Sequence, residues 1–228
     1  MTYKTQKNYT AIFVDCFSTI IYRNIRRKEV FKQWAIELSE KYNIPWKIIY
    51  KKYNQTNFNL SFKKLLTTIT LQEHFDTVLK NLFNKLAKKY NNLELNDFIK
   101  TATTTYYNKE LACFTVNQKL IDFLLSEKNA GKKIYLVSDF YCKSDVLLQW
   151  FTSLKINHIF DKLFSSADFS KEKATTKLYK ELLKQLELNP KNVIMYGDNV
   201  WSDILIAKIC GLNAKRVTRN TKENYEKK

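Results

Sequence analysis

Apolar and polar positions follow two different periods along this chain. The first ordered signal is a short apolar block, Ala11-Ile12-Phe13-Val14, that runs straight into Asp15. Bounded by polar residues, Tyr9 to Asp15 reads as a buried strand. Cys16 to Arg27 is mixed, turns back over the strand end and carries Arg23, Arg26 and Arg27 close to Asp15 in sequence. From Lys28 to about Leu125 the period is helical throughout. Val30, Trp34, Leu38 and Tyr42 recur every four residues, and Pro45 suits the first turn of a second helix through Ile48, Ile49 and Tyr53. The clearest amphipathic stripe is Leu71, Phe75, Val78, Leu79, Leu82, Phe83, Leu86 and Tyr90. Asn96-Asp97 offers an N-cap for a helix carrying Phe98, Ile99, Ala102 and Tyr106, and Leu120, Ile121, Leu124 and Leu125 close the series.

After Gly131 the pattern changes to alternation of strand and helix. Lys133–Ser138 is a strand, Asp145–Phe151 a short helix, Lys162–Ser165 a strand and Thr175–Leu186 a helix. Val193–Tyr196 is a strand ending at Gly197-Asp198, Ser202–Cys210 a helix stopped by Gly211, and Ala214–Val217 a last strand before a charged tail from Thr218. Such alternation predicts an α/β fold, a Rossmann-like parallel sheet of about five strands with helices on both faces. An all-helical insertion follows its first strand. The predicted division is a core of 1–24 and 116–228 with a helical segment of 25–115.

Composition narrows this picture. With 228 residues, 45% of them hydrophobic, and only 3 Gly and 2 Pro, the chain has ample material for a core and is mostly regular structure. The four cysteines, Cys16, Cys113, Cys142 and Cys210, are far apart and form no CxxC pair, which argues against zinc and against a disulfide framework; each is expected buried and inert. Met1 to Thr10 is polar without a signal-peptide core, and no apolar run approaches membrane-spanning length, so a soluble cytoplasmic protein is expected. The net charge of +17 admits an anionic partner such as nucleic acid. The lysines are nevertheless spread over the whole chain, as an AT-rich genome would produce, and nucleic-acid binding is not expected from so dispersed a charge. Composition leaves the oligomeric state open.

The candidate chemistry lies at the strand ends. A carboxylate closing a buried strand is costly unless it does work or binds a cation. Asp15 follows the first strand, Ser138-Asp139 the second, Lys171 and Lys173 the third, and Gly197-Asp198-Asn199-Val200-Trp201-Ser202-Asp203 the fourth. In a parallel sheet these clusters arrive at one edge. They supply a nucleophilic carboxylate, a hydroxyl, an ammonium and further carboxylates, and with no His or Cys in the group Mg2+ is the natural cation. That set suits phosphoryl transfer through an aspartyl-phosphate. Taken singly, Asp15 could cap a strand, Ser138 could serve a turn, Asp198 and Asp203 could cap the helix from Ser202, and Lys171 or Lys177 could replace Lys173. Their joint arrangement outweighs these separate readings. His74 and His158 read as structural or exposed.

The four motifs resemble those of the haloacid dehalogenase (HAD) superfamily. Phe13-Val14-Asp15-Cys16-Phe17-Ser18-Thr19, Tyr135-Leu136-Val137-Ser138-Asp139-Phe140-Tyr141, Lys173-Ala174-Thr175-Thr176-Lys177-Leu178-Tyr179, and Gly197-Asp198-Asn199 with Asp203 occur in order. The helical segment sits where many members carry a helical cap. More closely, the Asp-x-Phe first motif, the Ser-Asp-aromatic-Tyr second motif and Gly-Asp-Asn resemble a bacterial subgroup associated with surface-polysaccharide and glycosyltransferase systems. The resemblance implies Asp15 as nucleophile and Mg2+ ligand, the Phe17 carbonyl as a second ligand, and Asp198 and Asp203 as further ligands. It implies that Ser138 and Lys173 hold the phosphoryl group catalytically, with Cys16, Phe17 and Asp139 beside them in the phosphate-binding set. A small phosphorylated metabolite, such as a sugar phosphate, is the implied substrate.

One position departs from the family pattern. Most phosphatases of the superfamily carry a proton-donating Asp two residues after the nucleophile, and here that residue is Phe17. Loss of a general acid costs about 10²- to 10⁴-fold. The substrate therefore has a good leaving group, another group such as Asp139 or His74 supplies the proton, or turnover is weak and the chain serves as a binding module for an anionic partner. Dehalogenases of the superfamily also have an aromatic residue there, but they manage without Mg2+, and the Asp198/Asp203 pair argues against that assignment.

Overall fold

The computed structural model of the protein describes residues 9–64, 71–91 and 93–218. The tail 219–228 and the side chain of Leu71 lie outside the described set. In chain order the elements are β1 (Ala11–Val14), β2 (Ile21–Arg23), α1 (Arg27–Tyr42), α2 (Trp46–Lys64), α3 (Leu71–Ala87), α4 (Leu95–Ala112), β3 (Phe114–Val116), α5 (Gln118–Asn129), β4 (Lys133–Ser138), α6 (Ser144–Ser153), β5 (Lys162–Ser165), α7 (Ser166–Phe169), α8 (Lys177–Gln185), β6 (Val193–Gly197), α9 (Ile206–Ile209) and β7 (Asn213–Arg216). A 3-10 turn occupies Lys173–Thr175, and a π-helical turn occupies Val200–Leu205. The chain divides into two compact units, residues 1–22 with 115–228, and residues 23–114.

The first unit is built on a five-stranded sheet of order β5-β4-β1-β6-β7, each neighbouring pair parallel. Every residue of β1 is buried, as expected for the central strand of a parallel sheet covered on both faces. Side chains alternate across it. Phe13 joins a core of Val137, Phe164, Leu178, Tyr179, Leu182, Met195 and Ile206, so α8 and α9 cover that face. Val14 pairs in register with Leu136 of β4 and Tyr196 of β6. Asp15 is therefore one step beyond three aligned strand ends, and its N–H donates to the Tyr196 carbonyl at 2.8 Å.

The second unit is α1 to α4 around an aromatic core. Phe31 stacks on Tyr53 (4.4 Å between centroids) and on Tyr106 (5.0 Å), and the Trp34 indole N–H donates to the Ala102 carbonyl at 2.8 Å. Val30, Trp34, Leu38 and Tyr42 are buried on one face of α1, which ends at Asn43 in the left-handed conformation (φ 52°). The fully buried carboxylate of Glu110 accepts both arms of Arg23 at 2.6 and 3.0 Å and the Tyr106 hydroxyl at 2.5 Å.

Several local expectations shift. The α4 cap is Glu94, whose carboxylate accepts the Asn96 and Asp97 N–H groups, so Asn96-Asp97 lies inside the first turn. The helix predicted from Thr175 starts at Lys177, because Thr176 is left-handed (φ 64°) and separates α8 from the 3-10 turn. The helix predicted from Ser202 begins at Val200 with π geometry, and the last strand begins one residue earlier, at Asn213. The stripe predicted to Tyr90 ends as helix at Ala87. The continuous helical stretch to Leu125 is interrupted by β3. Among the described residues no helix is long and apolar enough to cross a membrane.

Candidate active site

The carboxyl edge of the sheet positions each polar side chain through ordinary local structure. After β1 the chain folds into a tight turn in which Ile20 and Ile21 both donate to the Cys16 carbonyl, and Ser18 adopts φ 59°. The turn brings the Thr19 hydroxyl to Asp15 Oδ2 at 3.0 Å. After β6, Asn199 caps the π-helical turn by accepting from Trp201 and Ser202 N–H groups. The turn directs Asp203 inward, where Oδ2 accepts the Asn199 N–H at 3.1 Å and Oδ1 accepts the Ser202 hydroxyl at 3.2 Å. Gly197 is required here because a Cβ at that position would lie 2.5 Å from Asp203 Cβ and Cγ.

Lys173 joins these elements. It is 2% exposed, and its Nζ donates to Asp15 Oδ1 at 2.6 Å and to Asp203 Oδ1 at 2.7 Å. Of the alternative lysines, Lys171 pairs with Glu181 at 2.7 Å and Lys177 is exposed at the start of α8. Asp139 turns both carboxylate oxygens to the Lys173 main-chain N–H, each at 3.2 Å. Ser138 is fully buried at the end of β4, and its hydroxyl has no hydrogen-bond partner among the described residues. Behind Lys173, the Tyr179 hydroxyl donates to the Ser202 carbonyl at 3.1 Å.

Carboxylates outnumber cations in this cluster. One oxygen from each of Asp15, Asp198 and Asp203 lies within 4.8 Å of the others. Burial drives the Asp15 pKa up to about 7; Lys173 opposes that rise and Asp203 adds to it. Burial also raises the carboxyls of Asp198, helped by Asp203, and of Asp139. For the Lys173 ammonium, burial acts downward, but the Asp15 and Asp203 carboxylates overcome it and hold the group well above its ordinary range. Three clustered carboxylates without His or Cys form a donor set for a hard divalent cation. The unpaired Ser138 hydroxyl and the Lys173 ammonium fit an anion beside it.

The remaining sequence-predicted residues have different settings. Cys16 is buried in the turn. The Phe17 ring stacks on Phe140 (4.1 Å between centroids, 27° between planes) and meets Trp150 edge-on at 6.4 Å. His74, in the helical unit, is within 3.0 Å of the Asn57 side-chain oxygen. Cys113 and Cys142 are buried, whereas Cys210 is only half-buried, with its thiol donating to the Thr176 carbonyl at 3.8 Å. Sequence reasoning missed the cap by Asn199 and the bond from Lys173 to Asp139. The first had a signal, an Asn three residues before a helix-compatible run. The second joins positions 34 apart and had none.

Residues 45–217 match the family model described as haloacid dehalogenase-like hydrolase; Asp15 lies ahead of the matched stretch. The chain is 26% identical over 156 residues to a glyceraldehyde 3-phosphate phosphatase of Methanocaldococcus jannaschii, a match covering 68% of this chain and 63% of that protein. The match thus spans less than two thirds of the relative's length. Among solved structures it is similar to the HAD-hydrolase YfnB of Bacillus subtilis bound to magnesium, with TM-score 0.60, 19% identity and coverage of 96% and 90% of the two chains. It is also similar to a 2-haloacid dehalogenase of Pseudomonas syringae, with TM-score 0.63, 12% identity and coverage of 90% and 85%. At these identities the structural likeness is one of fold.

Proposed function

Because the chain belongs to the haloacid dehalogenase-like hydrolase family, we propose that it is a Mg2+-dependent phosphohydrolase that uses Asp15 as nucleophile on a small phosphorylated metabolite. The observation that carries this reading is the contact of Asp15 with Lys173 inside a group of three clustered carboxylates. Asp15, Asp198, Asp203 and the Phe17 carbonyl would hold the cation, which supplies charge neutralisation for a phosphoryl group. Lys173 and the Ser138 hydroxyl, which has no partner among the described residues, bind phosphoryl oxygens, and the main chain at Cys16, Phe17 and Asp139 completes the proposed phosphate-binding set. An Asp15 oxygen attacks phosphorus, and the leaving oxygen departs with the bonding pair. Water then attacks the phosphorus of the aspartyl-phosphate, giving inorganic phosphate and restoring the Asp15 carboxylate. Thr19 and Lys173 orient Asp15 by bonding one oxygen each.

Phe17 cannot protonate the leaving oxygen, and its ring is held by Phe140 and Trp150. The reading therefore favours substrates whose leaving group is stable as an anion, such as acyl, aryl or anhydride phosphates. A dehalogenase also needs no leaving-group proton, but a clustered carboxylate set favours a cation-dependent phosphoryl reaction. We assign the helical segment 25–115 as a cap that selects the substrate, in a cytoplasmic setting; a sugar phosphate is the alternative substrate class, and as an alkyl phosphate it requires a proton donor other than Phe17. The named phosphatase relative, itself acting on a three-carbon sugar phosphate by its name, supports a small sugar phosphate. A screen of purified protein over phosphorylated metabolites, with and without Mg2+ and with Asp15→Asn as control, tests the reading. Mg2+-dependent release of phosphate from at least one compound, absent in the variant, is expected. Equal release by the variant overturns the role of Asp15.

A further inference from the structure

Lys173 has to deliver its ammonium to Asp15 and Asp203 from a short, poorly self-supported piece of backbone. It opens the 3-10 turn Lys173–Thr175, whose own preceding residue, Glu172, makes no side-chain cap. The first N–H groups of such a turn have no partner within it. On the other side the turn ends at Thr176, a β-branched residue at φ 64° and ψ −21°. A β-branched residue is an outlier in that region, and such a conformation persists only where the surroundings over-determine it. The missing partner comes from another strand end. Asp139, directly after β4, accepts the Lys173 N–H with both carboxylate oxygens at 3.2 Å. A carboxylate at the start of a helical turn also meets the positive end of its peptide dipoles.

We infer that Asp139 is a positioning residue: its carboxylate caps the turn that carries Lys173 and so fixes the direction of the Lys173 ammonium toward Asp15 and Asp203. The side chain of the second motif's acidic residue thus serves the lysine and does not face the phosphoryl group. The bond turns the Asp139 carboxylate toward the Lys173 main chain. The inference rests on the phosphohydrolase reading for its effect on rate, but its structural half is independent of turnover.

The test uses Asp139→Ala and Asp139→Asn in the full chain, with two measurements. Exchange of the Lys173 main-chain amide with solvent, followed by NMR, is expected to accelerate about tenfold in Asp139→Ala, the factor that loss of one hydrogen bond gives. Asp139→Asn keeps an acceptor oxygen and is expected to retain most of the protection. Hydrolysis of p-nitrophenyl phosphate with Mg2+ is expected to fall about 10- to 100-fold in kcat in Asp139→Ala, with Asp139→Asn restoring most of the rate. Unchanged amide exchange in Asp139→Ala overturns the inference. So does an Asp139→Asn variant that protects the amide yet loses as much kcat as Asp139→Ala, because the charge or the proton would then matter and the position would not. If the parent protein hydrolyses nothing, the phosphohydrolase reading fails while the amide exchange still decides the cap.

Discussion

Glu110 and Asp15 are buried carboxylates that each meet a cation, and they are built to opposite specifications. In the helical unit, Glu110 is fully buried and both of its oxygens are bonded, one to Arg23 Nε and the other to Arg23 Nη2 and the Tyr106 hydroxyl. One negative charge meets one positive charge through a bidentate fork, the geometry that offsets desolvation best. In the sheet unit, Asp15 shares the single ammonium of Lys173 with Asp203, with Asp198 and Asp139 close by, and its carboxyl is pushed up to about 7. Next to it a fully buried hydroxyl, Ser138, has no partner among the described residues. A balanced, saturated pair has nothing left to offer a ligand and ties the end of β2 to α4. An unbalanced cluster with unspent donors is costly to fold, and the proposed cation and phosphoryl group would offset that cost.

The comparison breaks most sharply at the two carboxylates themselves. Asp15→Asn is expected to lower phosphate release at least about 10⁴-fold while leaving the fold intact; steady-state kinetics on the best substrate of the screen checks it. The aryl-to-alkyl preference comes next. Without an acid at Phe17, alkyl phosphates are expected to turn over about 10²- to 10⁴-fold more slowly than aryl phosphates. Equal rates would show that another group donates the proton. Removing the ammonium by Lys173→Met is expected to cost about 10²- to 10³-fold in kcat, the range for one preorganised donor to a developing anion.

Disturbing the balanced pair has a different signature. Arg23→Met is expected to destabilise the protein by about 3 kcal/mol, because Glu110 loses its cation, with kcat changed less than about threefold at low temperature. Urea unfolding and kinetics on the same sample separate the two. The smallest effect concerns pH. The folded Asp15 pKa, about 7, lies above its ordinary value of 3.8. Its contribution to stability is therefore fully present below about pH 4 and is lost as pH rises through about 7. With Mg2+ taking the ionised form, as proposed above, the rise in melting temperature on adding Mg2+ is expected to be larger at about pH 8 than at about pH 5, by on the order of 3 °C. A gain independent of pH would separate Asp15 from the cation.

The sheet was legible because parallel strands announce themselves. The all-buried β1, the run Lys133–Ser138 and the run ending at Gly197-Asp198 are short apolar blocks closed by polar residues, and their order required a common edge. The periodic stripes of α1 and α3 were equally plain. β2 and β3, of three residues each, are too short for any period to show. Within the site, residue types at strand ends pointed to Asp15, Ser138, Asp198 and Asp203. Residue type alone could not choose among Lys171, Lys173 and Lys177; the resemblance of Lys173-Ala174-Thr175 to the family's lysine motif pointed to Lys173, and a 3-10 turn closed by a left-handed Thr176 carries that residue. The commitment of Asp139 to that same turn is likewise a tertiary contact. The Phe17 ring packing against Phe140 and Trp150 is also tertiary, although the absence of a proton at that position was readable from residue type alone.

The unbalanced cluster is proposed to make Asp15 a nucleophile toward phosphorus. Mass spectrometry of the Asp15 peptide, after acid quench of the protein mixed with Mg2+ and p-nitrophenyl phosphate, tests it most directly. One phosphoryl group is expected on Asp15 during turnover, absent without Mg2+ and absent in Asp15→Asn. Turnover that proceeds with an unmodified Asp15 peptide, and at the same rate in Asp15→Asn, would contradict it.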